Sequence, residues 1–197
     1  MAFDISQQLL DQIEAKYGEA ARARLERWEQ LLGTPHSLSD DRKLMLVNSF
    51  FNQIKFKSDE DHWKQEDYWA TPLELLVTDG GDCEDYSIAK YFTLRHMGVP
   101  DSKLRITYVK ALKLNQAHMV LAYYATPDAM PLILDNLTNK ILPADQRDDL
   151  YPVYSFNGDG LWLSKQRGEG KRIGKSTKLT QWNLMNERLL KQLSLEN

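Results

Sequence analysis

The chain has 197 residues, 42% of them hydrophobic and 27% charged, with a net charge of −3 from 25 basic and 28 acidic side chains. That composition suits one domain, 1–197, with a sizeable core, and is too evenly charged to argue for bulk attraction to nucleic acid or a membrane surface. Its single cysteine, Cys83, excludes an intrachain disulfide, and no apolar run approaches the length of a membrane-inserting segment.

Residues 4–32 read as helix, with Leu9, Leu10, Ile13, Leu25, Trp28, Leu31 and Leu32 on the apolar side. Gly18 marks a break or kink, and Gly33 followed by Pro35 marks the stop. Caps between Ser37 and Asp41 open a second helix to about Ile54, whose face is Leu44, Met45, Val47, Phe50, Phe51 and Ile54. Residues 57–70 are acidic and aromatic (Asp59, Glu60, Asp61, Trp63, Glu66, Asp67, Tyr68, Trp69) and read as a loop with at most a short turn of helix. Thr71-Pro72-Leu73-Glu74 has capping-box form with proline at the first helical position, and starts a short helix to about Val77.

Asp79-Gly80-Gly81-Asp82-Cys83-Glu84-Asp85 follows, then apolar residues at helical spacing, Ile88, Tyr91 and Phe92, ended by Gly98 and Pro100. The spacing predicts a helix with Asp82 as N-cap, Asp85 as its capping partner and the thiol in the first turn. Gly80-Gly81 allows unusual backbone dihedrals and close approach of a ligand. Unpaired N–H groups at a helix start favour a thiolate. After Gly98 the pattern is of strands: Leu104–Leu112, Ala117–Tyr124 with a hairpin turn at 114–116, Pro131–Asp135, Val153–Phe156 and Leu161–Ser164. Ser164–Lys178 carries six basic residues and one acid, an exposed hairpin tip or a dock for an acidic partner. An amphipathic helix, Thr180–Leu195, closes the chain. Helices over 1–98, strands over 104–164 and a last helix at 180–195 predict an α+β fold, a helical layer on an antiparallel sheet.

A thiol nucleophile needs a base and a group that holds the base in one tautomer. Of four histidines, His96 lies too many turns along the helix from Cys83, while His118 starts an apolar strand and Asp135 ends the next. Cys83, His118 and Asp135 are therefore the candidate catalytic set. Asp82, Glu84 and Asp85 oppose a thiolate beside them, and a divalent cation resolves that conflict. Three oxygen donors in four residues are hard ligands, and Ca²⁺ tolerates their irregular geometry better than Mg²⁺. Helix capping by Asp82 and Asp85, with Glu84 in solvent, is the competing reading.

Gly80-Gly81-Asp82-Cys83-Glu84-Asp85-Tyr86 and Ile88-Ala89-Lys90-Tyr91-Phe92 resemble the LapG family of bacterial transglutaminase-like cysteine proteases. The resemblance continues through Ala117-His118-Met119-Val120-Leu121, Leu134-Asp135-Asn136 and the upstream Tyr68-Trp69-Ala70-Thr71-Pro72. It implies a papain/transglutaminase-like fold, the triad Cys83, His118 and Asp135, and Ca²⁺-dependent activity that draws on Asp82, Glu84 and Asp85. It implies a periplasmic endopeptidase that cuts a large LapA-type adhesin near its N-terminus, at a di-alanine, and releases biofilm cells. It implies inhibition by the periplasmic domain of a LapD-type membrane receptor when cyclic dimeric GMP is high. The start Met1-Ala2-Phe3-Asp4 is no signal peptide, and a chain trimmed to its mature region would begin in the same way.

Two other functions stay open on the residues: a transglutaminase or amidase using the same triad, and a non-catalytic binding module. The second oxyanion donor is open between Trp69 and a loop amide. The receptor-facing surface is open between the loop around Trp63 and Trp69 and the basic segment 165–178.

Overall fold

A computed structural model describes residues 3, 5–164 and 170–194. The fold is α+β, with seven α-helices and seven antiparallel strands in one sheet among the described residues.

The single helix expected over 4–32 is two, α1 (Gln7–Tyr17) and α2 (Glu19–Leu32). The chain turns between them at Gly18, whose φ of 87° is costly for residues bearing a Cβ. Arg22 of α2 closes the corner on Asp11 and Glu14 of α1, at 2.7 and 2.8 Å. The next helix, α3 (Asp40–Phe51), stops short of Ile54. In the acidic loop one turn is helical, α4 (Asp59–His62).

The capping box is formed at α5 (Pro72–Thr78). Thr71 Oγ1 accepts from the Glu74 N–H at 3.2 Å, and Glu74 Oε2 accepts from the Thr71 N–H at 2.8 Å. α5 ends on Asp79, in the left-handed region at φ 49°, and the chain is thereby handed to Gly80-Gly81. A parallel bridge between Phe56 and Gly81 ties this loop to the segment after α3.

Next comes α6 (Cys83–His96), buried at every residue from Asp85 to Leu94. The helix is the centre of the molecule, packed between α3, α5 and the sheet. It ends at Gly98 (φ 87°), where the Val99 N–H reaches back to the Leu94 carbonyl at 3.0 Å.

The strands are β1 (Leu104–Ala111), β2 (Gln116–Tyr123), β3 (Leu132–Leu134), β4 (Leu142–Pro143), β5 (Leu150–Phe156), β6 (Leu161–Leu163) and β7 (Lys171–Gly174), in the order β4-β3-β2-β1-β5-β6-β7. β1 and β2 form a hairpin through residues 112–115, with Asn115 at φ 50°. On the helical face Leu104, Ile106, Met119, Leu121 and Leu134 join the main core, and Val109, Val120, Ala122, Tyr124 and Ile133 form a second, smaller cluster. The last helix, α7 (Thr180–Ser194), returns to α6: Trp182 stacks on Phe92 and meets Phe156 edge-on.

Three strand expectations change. β5 starts at Leu150, ahead of Val153, because its outer half is only part-buried and carries Pro152. β4 is two residues long, below any readable period. β7, Lys-Arg-Ile-Gly, is an exposed edge strand whose basic side chains replace an alternating pattern. It pairs with β6, so the basic stretch flanks a hairpin, while its centre, 165–169, lies outside the described residues, as does Leu195 at the expected end of α7.

Candidate active site and cation site

Cys83 is the first residue of α6, with Asp82 as N-cap. Asp85 Oδ2 accepts from the Asp82 N–H at 3.1 Å, as the capping pattern predicts. The Gly-Gly pair serves a different end from the one expected, since neither glycine has positive φ. A Cβ on Gly81 would lie 2.5 Å from Asp85 Oδ2 and 2.7 Å from Leu75 Cδ1, and one on Gly80 would lie 2.5 Å from the Lys57 stem. The glycines let the loop close onto the chain's own carboxylate and α5.

The thiol is half-buried and donates to Glu84 Oε2 at 3.1 Å. Burial, then the charges of Glu84 and Asp82, push its pKa well up, while a bond from the Met119 N–H pulls it down. That N–H belongs to β2, which seats the start of α6 against the strand bearing His118.

His118 is buried, and its Nε2 lies 2.8 Å from Asp135 Oδ1. An ionised carboxylate only accepts, so Nε2 carries the proton and Nδ1 keeps the lone pair of the neutral ring. Asp135 follows directly on β3 and is 1% exposed. Burial raises its pKa, but the bonds and charge of His118, the Leu137 N–H and Arg147 outweigh that and bring it to about 2.

Cys83 and His118 line one open cleft of about 950 Å³, walled by Gln65, Glu66, Asp67, Trp69, Tyr108, Tyr154 and Gln181. Tyr108 and Tyr154 stack there at 5.1 Å and 6°. Trp69 stacks on Phe156 at 5.6 Å, and its indole N–H donates to Asp67 at 3.0 Å, so the indole is engaged elsewhere than an oxyanion. The other histidines have local tasks. His62 Nε2 bonds Thr78 Oγ1 at 2.8 Å, His96 Nδ1 accepts from the Phe3 N–H, and the His36 carbonyl accepts from Lys43.

The acids beside Cys83 gather further carboxylates. One oxygen each from Asp59, Asp82 and Asp85 lies within 4.8 Å of the others; Asp59, Asp67 and Glu84 form a second such group, and Asp82 and Glu84 a third with Cys83. Asp85 is fully buried, with Oδ1 accepting from the Ala70 N–H at 2.7 Å. Asp59 Oδ2 accepts from the Tyr68 N–H at 2.5 Å. Asp59 Oδ1 and Asp82 Oδ1 are buried with no hydrogen-bond partner among the described residues. Burial and mutual repulsion push the carboxyls of Asp82, Glu84 and Asp85 up, and burial with the charges of Asp82 and Asp67 brings Asp59 to about 6. Orphaned, crowded oxygens fit a hard divalent cation. Asp59 was visible in the sequence only as one acid among many, because the fold, not the spacing, carries it to Asp82.

Arg147 and Asn52 give no signal in the sequence, and Lys90 stands there only within the family-like run Ile88-Ala89-Lys90-Tyr91-Phe92. Arg147 Nη2 lies 2.7 Å from Asp135 Oδ2. Asn52 Nδ2 donates to the Asp135 carbonyl at 2.9 Å, and Lys90 Nζ donates to Asn52 Oδ1 at 2.7 Å and Asn48 Oδ1 at 2.8 Å.

Residues 20–164 match the family model described as bacterial transglutaminase-like cysteine proteinase, BTLCP. This chain belongs to that family. Among solved structures, Legionella pneumophila LapG in EGTA-treated form is 45% identical at a TM-score of 0.82, over 95% of this chain and 99% of that one. A second LapG structure from the same organism is also 45% identical, with a TM-score of 0.81 over the same shares of both chains. Calcium-bound LapG from that organism is 46% identical at a TM-score of 0.79, over 94% and 99%. No match was found among curated proteins. As a BTLCP member the chain is a cysteine proteinase by family and α+β by fold, and Cys83 is its one cysteine.

Proposed function

We propose that the chain, read as one unit over 1–197, is a calcium-dependent cysteine endopeptidase with Cys83 as nucleophile, His118 as base and Asp135 as orienting acid. The observation that carries this is the buried 2.8 Å bond between His118 and Asp135, on the wall of the cleft that also holds Cys83.

His118 Nδ1 takes the proton of the Cys83 thiol, and the sulfur attacks the scissile carbonyl carbon. The Cys83 N–H, at the positive end of α6, donates to the oxyanion. The imidazolium returns its proton to the leaving amine, whose bond to carbon breaks, and a thioester remains. Water, losing a proton to His118, attacks the thioester and releases the acid and the thiol. Asp135 holds Nε2–H throughout and stabilises the charged ring.

Asp59, Asp82 and Asp85, with Glu84 and Asp67 at the edge, would hold the cation. When bound, Ca²⁺ supplies positive charge that offsets the acids disfavouring the thiolate and firms the loop that carries Cys83. Calcium-bound LapG, 46% identical, supports this choice of ion.

By the same likeness the substrate is the N-terminal region of a large LapA-type adhesin, cut at a di-alanine to release biofilm cells in the periplasm. Control falls to a LapD-type receptor responsive to cyclic dimeric GMP. The open cleft suits an extended chain, and its stacked tyrosines offer a flat wall to small side chains.

The test is cleavage of a purified adhesin N-terminal fragment with Ca²⁺ or with EGTA, by wild type and Cys83→Ala, with a primary amine present in a parallel reaction. Two shortened products from wild type with Ca²⁺ alone, and none from Cys83→Ala, are expected. Cleavage by Cys83→Ala would overturn the nucleophile. Undiminished cleavage in EGTA would overturn the cation, and crosslinked product would favour the transglutaminase.

A further inference from the structure

We infer that Arg147 is a positioning residue of the reaction, a buried guanidinium that locks Asp135 from behind so that its other oxygen stays on His118. The inference rests on the triad reading above and extends it to a residue beyond the cleft.

Asp135 has two oxygens, and each is committed. Oδ1 accepts from His118 Nε2 at 2.8 Å and from the Leu137 N–H at 3.0 Å, and Oδ2 accepts from Arg147 Nη2 at 2.7 Å. Arg147 is itself 7% exposed and forks onto Asp149, Nε to Oδ1 and Nη2 to Oδ2, both at 2.9 Å. Its third arm, Nη1, is buried with no partner among the described residues, so the two carboxylates alone aim the side chain. Asp135 lies between β3 and β4, and Arg147 between β4 and β5, so their bond also closes the edge of the sheet across the short β4.

Charge explains why an arginine is needed. A buried carboxylate without a counter-charge is costly, and a neutral imidazole supplies only a hydrogen bond. Lys90, the other nearby cation, is spoken for by two amide oxygens, and burial lowers its pKa to about 7. An arginine does not deprotonate. It therefore keeps Asp135 ionised whether His118 is neutral or charged, and the Nε2–H bond survives both halves of the cycle. Without it, Asp135 can turn toward solvent or take up a proton, and the ring is free to rotate. Arg147 does not line the catalytic cleft. It borders a separate cavity of about 490 Å³, shared with Val109, Val120, Tyr124 and Ile133 of the second cluster. That cavity gives a small solute a route to the place the guanidinium occupies.

The experiment compares wild type, Arg147→Lys, Arg147→Gln and Arg147→Ala, with His118→Ala as the control for the triad, all calcium-loaded and checked by circular dichroism. Two readouts are taken: kcat and KM on the adhesin fragment, and the rate of Cys83 alkylation by iodoacetamide at a fixed pH, which needs no substrate. Arg147→Gln keeps an N–H donor and removes the charge, and circular dichroism tells whether its fold is kept. Its kcat should fall on the order of ten- to a hundredfold, by analogy with loss of an outer partner of a metal-bound histidine. KM should stay unchanged, and alkylation should slow in parallel. Arg147→Lys should retain more activity than Arg147→Gln, and millimolar methylguanidinium should raise kcat of Arg147→Ala where urea does not. A folded Arg147→Gln that turns over and alkylates at the wild-type rate overturns the inference, as does Arg147→Lys no better than Arg147→Gln. Failure of the triad reading looks different: wild type itself then neither cuts the fragment nor alkylates in a His118-dependent way.

Discussion

Removing the cation should cost stability, and the cost should grow with pH. In the metal-free protein Asp59 is lifted from 3.8 to about 6, chiefly by burial and by the charges of Asp82 and Asp67. A lift of about two pH units is roughly 3 kcal/mol of penalty once the group is ionised. Asp82, Glu84 and Asp85 are pushed the same way by burial and by one another. The native state therefore binds these protons more tightly than the unfolded chain does. Between about pH 4 and the raised native values, stability falls as pH rises. A cation held at a hundred times its Kd returns about 2.7 kcal/mol, and in a chain of this size each kcal/mol moves Tm by ~2–4 °C. Calcium should thus raise Tm at pH 8 by about 5–11 °C. The assay is thermal melting followed by circular dichroism at pH 5.5 and pH 8, on calcium-loaded protein, on protein stripped of metal, and on Asp59→Asn. Stripped wild type should melt higher at pH 5.5 than at pH 8, and Asp59→Asn should respond less to calcium. Equal melting of loaded and stripped protein at pH 8 would refute the cation site. A stripped protein whose Tm is no higher at pH 5.5 would refute the electrostatic account of it.

Two further outcomes are expected. Asp135→Asn puts an amide donor against Nε2, favours the wrong tautomer and should lower kcat by up to ~10⁴-fold, as loss of the corresponding acid does in serine triads, with CD showing the fold kept. Lys90 is lowered from 10.5 to about 7 by burial, so between those values the unfolded chain holds a proton that the native state lacks and stability rises with pH. The urea-derived stability gap between wild type and Lys90→Met should therefore shift by a few kcal/mol from pH 6.5 to pH 9.5, and a constant gap would show that Lys90 titrates normally.

The elements that carry the site were legible because local rules dictate them. Asp82 and Asp85 cap α6, Thr71 and Glu74 cap α5, and Met119, Leu121 and Tyr123 alternate along β2 toward the core. What the sequence does not reveal is any role that depends on what the fold brings to a residue. Gly80 and Gly81 suggest backbone freedom, yet they are small because Asp85, Leu75 and Lys57 press on them. Ile88, Tyr91 and Phe92 at helical spacing mark α6, but only its enclosure by α3, α5 and the sheet explains why Ser87, Lys90 and Thr93 are buried as well. Arg147 stands in the acidic run Asp145-Gln146-Arg147-Asp148-Asp149, where no spacing or motif marks it as a partner of Asp135. Only closure of the sheet edge turns its side chain inward onto Asp135.

The backbone on both sides of Trp69 is held by the acid cluster: the Tyr68 N–H by Asp59, and the Ala70 N–H by Asp85. Those same two carboxylates belong, with Asp82, to the group whose oxygens lie within 4.8 Å of one another. The cluster and the tryptophan wall of the cleft thus form one mechanical unit, splinted through two amides. An event that recharges the cluster (chelation, protonation or a neutralising substitution) should therefore be felt at the Trp69 wall as well as at the thiol. With five tryptophans in the chain, the difference in fluorescence between wild type and Trp69→Phe, taken with and without calcium, would isolate what the ring feels.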